Sequence, residues 1–302
     1  MLQGIAVFAM QGRWQAALAI ALFSVAALML PPLSYIASGV IALSTLRMGP
    51  KEGITVVAAA TVILTLITGL LLNKLMISGL FLISSWLPML GITLVLGYTR
   101  SLAVSLLAAS GLAIVCVFGA YLVLPNPAQW WQQMMTPFFD VVTQQKGWAL
   151  DQTQTQALIV EMSSMMTGLI AAVLSMNVML GLLIGRAWQA KLYNPGGFAT
   201  EFRKLRLGKP AAMLTVAVIA VATSPLSESL IVIRECLPVL LAVFALQGLS
   251  IAHALVKQQQ KRSFWLVAMY VLLVVMMPQM VVLLAVIGVL EQWLNFRKHS
   301  IE

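Results

Sequence analysis

Long apolar runs separated by short polar and basic stretches dominate the chain. Four runs reach the roughly 20 residues that a helix needs to cross a bilayer. They lie at about 53–72, 75–98, 102–124 and 162–185. A fifth run, at about 229–255, is equally long, although polar residues interrupt its first half. The pattern predicts an all-α polytopic membrane protein, a helical bundle with about 8–10 membrane segments in a single transmembrane domain over residues 1–302.

Two further apolar stretches contain proline and predict hairpins. Pro31-Pro32 divides residues 14–46, and Met277-Pro278-Gln279 divides residues 264–293. Proline lacks a backbone donor and disfavours helix in the residue before it, so we expect a turn at each site. The alternative for the second stretch is one kinked helix of about 28 residues, roughly 42 Å long at 1.5 Å per residue. Such a helix would tilt steeply in a hydrocarbon core of about 30 Å.

The basic residues favour the hairpins. With the N-terminus in the cytoplasm and both hairpins formed, fifteen cations fall on the inner side and only Lys74 and Lys146 on the outer side. Lys and Arg accumulate in the cytoplasmic loops of membrane proteins. We therefore predict ten segments in a bacterial inner membrane, with both termini cytoplasmic; eight or nine segments are the alternative. Arg234 is the one cation left within a membrane segment.

Other protein classes fit the sequence poorly. The formal charge is +9, yet only 9% of residues are charged, against roughly a quarter in soluble domains. The cations lie in clusters between apolar runs, which argues against nucleic acid as a partner. The chain has no P-loop, no G-x-S-x-G and no H-E-x-x-H motif, and Cys116 and Cys236 lie in apolar runs. We expect no enzymatic activity, no cofactor and no metal.

The predicted outer loop, residues 125–160, contains an amphipathic stretch. Its large apolar residues recur at helical steps of three to four. They are Trp130, Trp131, Met134, Met135, Phe138 and Phe139. Tryptophan favours the headgroup layer, so we expect a helix lying on the outer leaflet, with a lid over an outward cavity as the alternative. Asp151 is expected to N-cap the helix that follows.

The predicted cytoplasmic loop, residues 186–210, is basic. A turn at Asn194-Pro195-Gly196-Gly197 precedes a short helix, because proline presets φ and glycine accepts positive φ. On that helix Phe198, Phe202 and Leu205 share one face, and Arg203, Lys204 and Arg206 surround it. Such a helix is typical of the inner leaflet. We expect this loop, from Asn194 to Arg206, to contact membrane lipids or a partner protein.

Polar residues within membrane segments are the candidate ligand site, because buried charge in a bilayer is costly. Glu228 and Glu235 are seven residues apart, which on one helix places them on one face about 10 Å apart. We expect Arg234 to pair with a carboxylate from another helix or to bind an anionic ligand bidentately. The alternative places Glu228 in the headgroup layer and makes Arg234 and Glu235 a structural ion pair. Asn177 is a further ligand candidate or an interhelical hydrogen bond.

Three stretches carry a resemblance to a bacterial family. They are GRAWQAKLYNPGGFATEFRKLRLG, QGLSIAHAL at 247–255 and GVLEQWLNFRK at 288–298. With these the chain resembles the YybS-like membrane proteins, a family without an assigned activity, which is similar in turn to the substrate-binding subunits of energy-coupling-factor transporters and to the rod-shape protein MreD.

The resemblance to transporter subunits implies a helical bundle with an outward small-molecule site, docked on a transmembrane coupling protein through an Ala-x-x-x-Ala pattern that Ala17 and Ala21 match. We therefore expect a small-molecule-binding or transport subunit. A scaffold that recruits partners through the basic loop, as in MreD, and a lipid-handling protein are the alternatives.

Overall fold

The computed structural model describes residues 2–143, 151–262 and 264–297, and in these residues the chain is helical without strands. The helices are α1 (Leu2–Ala9), α2 (Arg13–Ala27), α3 (Leu33–Met48), α4 (Pro50–Leu72), α5 (Met76–Phe81), α6 (Leu87–Thr99), α7 (Leu102–Val123), α8 (Pro127–Thr143), α9 (Gln152–Ser163), α10 (Met166–Tyr193), α11 (Gly197–Arg203), α12 (Lys209–Ala222), α13 (Ile231–Glu235), α14 (Leu237–Gln258), α15 (Phe264–Val275) and α16 (Met277–Leu294). A π-helical turn, Leu82–Trp86, joins α5 to α6, and a 3₁₀ turn, Pro225–Ser227, precedes α13.

Among the described residues, six helical segments are long and apolar enough to cross a membrane. They are Pro50–Leu70, Met76–Thr99, Leu102–Val123, Met166–Tyr193, Ile231–Gln258 and Met277–Leu294. Four more apolar helices are shorter: α2, α3, α12 and α15. The all-α polytopic bundle predicted from the hydrophobic pattern is confirmed.

The first hairpin is formed by α2 and α3, with Pro31 and Pro32 in its turn. Arg13, at the start of α2, lies 3.7 Å from Glu52 in the first turn of α4. Because α4 begins directly after α3 ends, the first residue of α2 and the last residue of α3 are at the same end of the bundle. The proline-tipped hairpin is therefore present.

The second hairpin follows from how α14 and α16 pack. Gly248 of α14 contacts the backbone of Leu284, and Gly288 of α16 contacts the backbone of Phe244. The Gln258 side chain, at the end of α14, donates a hydrogen bond to the carbonyl of Arg297, just after α16 (3.4 Å). These two helices thus run parallel, and α15 between them runs in the opposite direction. The chain reverses at Met276, and Pro278 lies in the first turn of α16, where its missing N–H has no helical partner.

The two hairpins bring the positive charge to one end of the bundle, which we call the basic end. The guanidinium of Arg47, at the end of α3, lies 4.0 Å from the ring centroid of Tyr193, at the end of α10. Arg100 and Arg186 line one small cleft at the same end. Lys74 follows α4 at the opposite end. Lys146, the second cation predicted for that side, lies outside the described residues.

Small residues allow the central helices α3 and α10 to approach closely. A Cβ on Gly181 would overlap Ser38, and one on Gly185 would overlap Ala42 and lie 2.8 Å from the carbonyl oxygen of Gly39. Close backbone approach through small residues at four-residue spacing is typical of helices packed in membranes, where association depends on van der Waals contact. This pair therefore forms the central contact of the bundle.

The predicted outer amphipathic helix is α8. One of its faces packs on the bundle, where the Trp131 indole donates a hydrogen bond to the Thr167 hydroxyl at the start of α10 (3.0 Å). A second apolar face is exposed and consists of Trp130, Met134, Phe138 and Val141. An exposed apolar face of this kind suits contact with lipid at the membrane boundary. After the undescribed residues 144–150, Asp151 N-caps α9 as predicted, in a capping box with Gln154.

The basic amphipathic helix predicted for the inner leaflet is α11, and its apolar face packs on the bundle, so the predicted contact of this face with the leaflet is wrong. In α11 the rings of Phe198 and Phe202 stack on each other at 5.8 Å, and both pack against the buried core. Leu205, just after α11, is buried. The apolar face of α11 therefore packs on the bundle itself and not on the leaflet.

Candidate functional site

Glu235 is buried at a joint between helices. Its carboxylate accepts a hydrogen bond from the backbone N–H of Gly168, and the Tyr121 hydroxyl lies 3.4 Å from its other oxygen. Gly168 is the third residue of α10, and the first N–H groups of a helix have no partner within that helix. A carboxylate is also favourable beside the positive end of the helix dipole. Glu235 therefore caps the N-terminus of α10 from another helix. The residue at the N-cap position itself, Met165, makes no side-chain capping bond.

Arg234 lies on the other side of the same joint. Its guanidinium donates a hydrogen bond to the carbonyl oxygen of Ser164 (3.2 Å), which terminates α9. The last carbonyls of a helix also lack helical partners. Two consecutive side chains thus satisfy both sides of the break between α9 and α10. In the described structure they form no ion pair with each other, so the structural role expected of this pair is filled by backbone contacts instead.

Glu228 does not join this cluster. It is exposed, in the turn between the 3₁₀ segment and α13. The expected common helical face of Glu228 and Glu235 is wrong, because α13 begins only at Ile231. Ser224 accepts a hydrogen bond from the N–H of Leu226 and starts a tight turn that interrupts the helix.

Asn177 is a junction between helices and does not lie beside Arg234 and Glu235. Its side-chain oxygen accepts hydrogen bonds from Ser38 (2.8 Å) and Ser85 (2.9 Å). Its amide nitrogen donates to Ser34 (2.7 Å). The π-helical turn presents Ser85 to this cluster. With its amide engaged by three serine hydroxyls and buried, Asn177 connects α3, α10 and the π turn, and the ligand role proposed for it is not supported by this geometry.

A cleft of about 620 Å³ opens beside Arg234, at the end of the bundle opposite the basic end. Its walls come from α10, the end of α12, α13, α14 and the start of α16. They include Met165, Leu169, Ala172, Val173, Met176, Leu241, Ala242, Met277, Val281 and Val282. Apart from Arg234 and Glu235, the lining is almost entirely apolar. We call this space the Arg234 cleft.

A second polar centre, at the basic end, was missed by the sequence analysis. Glu291 is completely buried near the end of α16. Its carboxylate accepts hydrogen bonds from Arg297 (2.8 Å), from Arg206 (3.3 Å) and from the backbone N–H of Phe296 (2.8 Å). The sequence signal is an acidic residue in the last turn of a helix, where the dipole disfavours it. An acidic residue in this position indicates that a cation from a neighbouring segment pairs with it.

Arg297 connects this carboxylate to the basic loop. Besides Glu291, it donates to the backbone carbonyls of Arg203 (2.6 Å) and Leu205 (2.8 Å). Gln247 of α14, also fully buried, accepts a hydrogen bond from the N–H of Leu207 (2.7 Å). The segment after α11 is therefore held by side chains of α14 and of the residues following α16.

A cavity of about 390 Å³ lies above this network, and we call it the basic cavity. It is lined by Thr200, Arg203, Lys204, Arg206, Ala254, Lys257, Gln258 and Arg297. Of the loop residues predicted to contact lipids or a partner, the three cations line this cavity. Asn194, Gly196 and Gly197 form the preceding turn, where Gly196 has the expected positive φ of 87°.

In residues 2–143, 151–262 and 264–297, no three His, Cys, Asp or Glu side chains come together as a metal site. No curated protein and no solved structure matches the chain, so the similarity to energy-coupling-factor subunits and to MreD stays a prediction. The resemblance to the YybS-like membrane proteins agrees with the family comparison. The family model described as "Predicted membrane protein (DUF2232)" matches residues 17–291, and the chain therefore belongs to this family of membrane proteins.

Proposed function

We propose that this protein is a binding or transport subunit for a small amphipathic anion, which it holds in the Arg234 cleft. The observation that supports the proposal is a guanidinium on the wall of a cleft of about 620 Å³ whose lining, apart from Arg234, Glu235 and Thr223, is apolar. Ligand sites in proteins have volumes of about 300–1,000 Å³ and combine apolar walls with a few polar groups.

Arg234 has donors available for such a ligand. A guanidinium carries five N–H donors, and in the described structure Arg234 makes one hydrogen bond, to Ser164. The neighbouring carboxylate of Glu235 is engaged by Gly168 and Tyr121. A charge in an apolar membrane environment is costly unless it is paired. A carboxylate or phosphate is the group that a guanidinium binds in bidentate fashion.

The apolar walls suit the rest of such a ligand. Leu169, Val173, Leu241 and Val281 offer aliphatic surface on three sides of the cleft. The cleft also lies opposite the basic end, which the distribution of cations assigns to the cytoplasm. In this orientation the cleft opens toward the outer side of a bacterial inner membrane, as a subunit that captures an external molecule requires.

Mass spectrometry of the protein purified in mild detergent tests the proposal. We expect wild-type protein to retain an anionic small molecule that Arg234→Gln loses. Lys74→Gln removes one exposed cation near the same end without touching the cleft, and it should retain the molecule. Ala172→Phe leaves Arg234 in place but fills the cleft, so it should lose the molecule as well.

Two results would contradict the proposal. One is equal amounts of the same molecules on wild type and Arg234→Gln. The other is retention by Ala172→Phe, which would show that the molecule binds elsewhere. Far-ultraviolet circular dichroism of each variant shows whether the helices are intact, so that loss of the molecule is separated from loss of the fold.

A further inference from the structure

We infer that the basic cavity is a binding site for a phosphate-bearing anion. The cavity is distinct from the Arg234 cleft, because the two lie at opposite ends of α14 and α16. Five cations line it: Arg203, Lys204, Arg206, Lys257 and Arg297. The inference rests on how these cations are placed and on the small amount of negative charge near them.

Among the described residues, only one carboxylate forms ion pairs with any of these five cations. Glu291 pairs with Arg297 and Arg206. The nearby Glu201 is engaged by Arg186 at 2.8 Å, on the side that lines a different cleft. In the described residues, Arg203, Lys204 and Lys257 have no acidic partner. The cavity therefore holds an excess of positive charge that the described residues do not neutralise.

The backbone that carries these cations is fixed. Arg297 is only 8% exposed and binds the carbonyls of Arg203 and Leu205. The Ser250 hydroxyl donates a hydrogen bond to the carbonyl of Phe202 (2.7 Å), which ties α11 to α14. The backbone of a cluster held in this way loses little conformational freedom when the cluster binds an anion. It differs from a flexible basic tail in this respect.

Helix dipoles explain only part of the arrangement. Arg203 lies in the last turn of α11 and Lys257 in the last turn of α14, where a cation is favourable. The dipole effect does not require the C-terminal ends of α11 and α14 to lie side by side. It also does not account for the additional cations Lys204 and Arg206. Convergence around a space of about 390 Å³ fits one anion with several acceptor oxygens. Phosphate has this chemistry, and Arg and Lys are the residues that recognise it.

Two sources supply a phosphate group at this end of the bundle. One is the headgroup of an anionic lipid, since polybasic clusters beside membrane helices bind such headgroups. The other is a soluble phosphorylated molecule. A recruited protein is the less favoured occupant, because the cations surround a concave space and the apolar face of α11 is already buried in the bundle.

Thermal stabilisation of the full-length protein in dodecyl maltoside tests the site. The probes are sodium phosphate against sodium chloride at equal ionic strength, and dioctanoyl phosphatidylglycerol against dioctanoyl phosphatidylcholine. A ligand that binds the folded state raises Tm in proportion to its saturation. We expect saturable stabilisation by phosphatidylglycerol, by phosphate, or by both. A response to phosphatidylglycerol alone identifies a lipid headgroup, and a response to phosphate alone identifies a soluble ligand. A response to both shows that the site recognises the phosphate group itself.

The variant Arg203→Gln/Lys204→Gln/Lys257→Gln removes the cations that have no acidic partner and keeps the Glu291–Arg297 network. Each basic residue near anionic lipid contributes about 1 kcal/mol, so this variant should weaken the response at least about tenfold. The matched control, Lys51→Gln/Lys191→Gln/Lys209→Gln, removes three exposed cations outside the cavity. It should respond within about twofold of wild type.

Three results would overturn the inference. The first is no stabilisation by either phosphate probe above its control. The second is equal weakening in both triple variants, which would indicate diffuse charge rather than a site. The third is that Arg203→Gln/Lys204→Gln/Lys257→Gln keeps its phosphate response but no longer co-purifies with a protein that wild type retains. Arg234→Gln should behave as wild type in this assay, so failure here is distinguishable from failure of the Arg234 cleft.

Discussion

Replacement of Arg297 by Met should strongly destabilise the basic end. The substitution removes a charged hydrogen bond to Glu291 and two hydrogen bonds to the carbonyls of Arg203 and Leu205. Glu291 is completely buried and would keep only the weaker contact with Arg206 and the N–H of Phe296. Removing one partner of a buried ion pair costs about 3–5 kcal/mol, because the remaining charge is left without compensation.

Two further substitutions calibrate this value. Arg206→Met removes the other guanidinium from the same carboxylate, but the Arg206 side chain is 43% exposed. Because the Arg206 guanidinium is partly hydrated and Arg297 still neutralises Glu291, Arg206→Met should cost less than Arg297→Met, about 1 kcal/mol. In Glu291→Leu/Arg297→Met both charges are absent. This double variant should be more stable than Arg297→Met, because no buried charge remains unpaired.

Reversible unfolding in mixed detergent micelles, followed by tryptophan fluorescence, measures these differences. The reasoning is refuted if Arg297→Met costs less than about 1 kcal/mol, the value of an exposed pair. It is also refuted if Arg206→Met and Arg297→Met cost the same. Either result would mean that solvent or lipid headgroups reach the Glu291 carboxylate.

Three other predictions concern the packing of helices, the α9–α10 joint and the topology. Gly181→Ala should lower the free energy of unfolding in the same micelles by about 1–3 kcal/mol, because its new Cβ overlaps α3, whereas Gly97→Ala meets open space and should have little effect. Glu235→Ala should cost about 1.5–3 kcal/mol through loss of the bonds that Glu235 accepts, while the exposed Glu228→Ala should be neutral; equal losses would contradict the capping role. In a cysteine-free background, Gln260→Cys and Phe296→Cys should be labelled from the same side of the membrane, and labelling from opposite sides would refute the second hairpin.

The joint at Arg234 shows why an isolated charge in a membrane segment was hard to interpret from sequence. A helix of continuous apolar residues was expected from about 162, but the structure ends α9 at Ser163 and begins α10 at Met166. The break creates unpaired backbone groups, and Arg234 and Glu235 satisfy them. No proline or glycine separates Ser163 from Met166, and the nearest glycine, Gly168, lies inside α10. The role of the two charges thus depended on a partner segment about 70 residues away.

Glu291 illustrates a different limit. It was recognised only as part of a stretch that resembles the YybS-like family, without a role of its own. Its partners Arg206 and Arg297 come from the basic loop and from the chain after α16. That α14 and α16 run parallel, with both ends beside α11, became visible only in the packed bundle. An ion pair across 85 residues leaves no local pattern to read.

The apolar runs, the prolines and the distribution of cations determined by themselves that this is a polytopic helical membrane protein with two hairpins and one basic end. These features are local, because each depends on the length of a run, on the missing donor of proline or on the side of the membrane that a cation prefers. The tertiary structure alone decided which polar residues meet. It made Asn177 a junction, turned the phenylalanines of α11 into the bundle and placed Arg234 on the wall of a cleft. The physical reason is that buried polar groups and close-packed faces must be satisfied by whatever element lies beside them, and that neighbour is set by the packing of the whole chain.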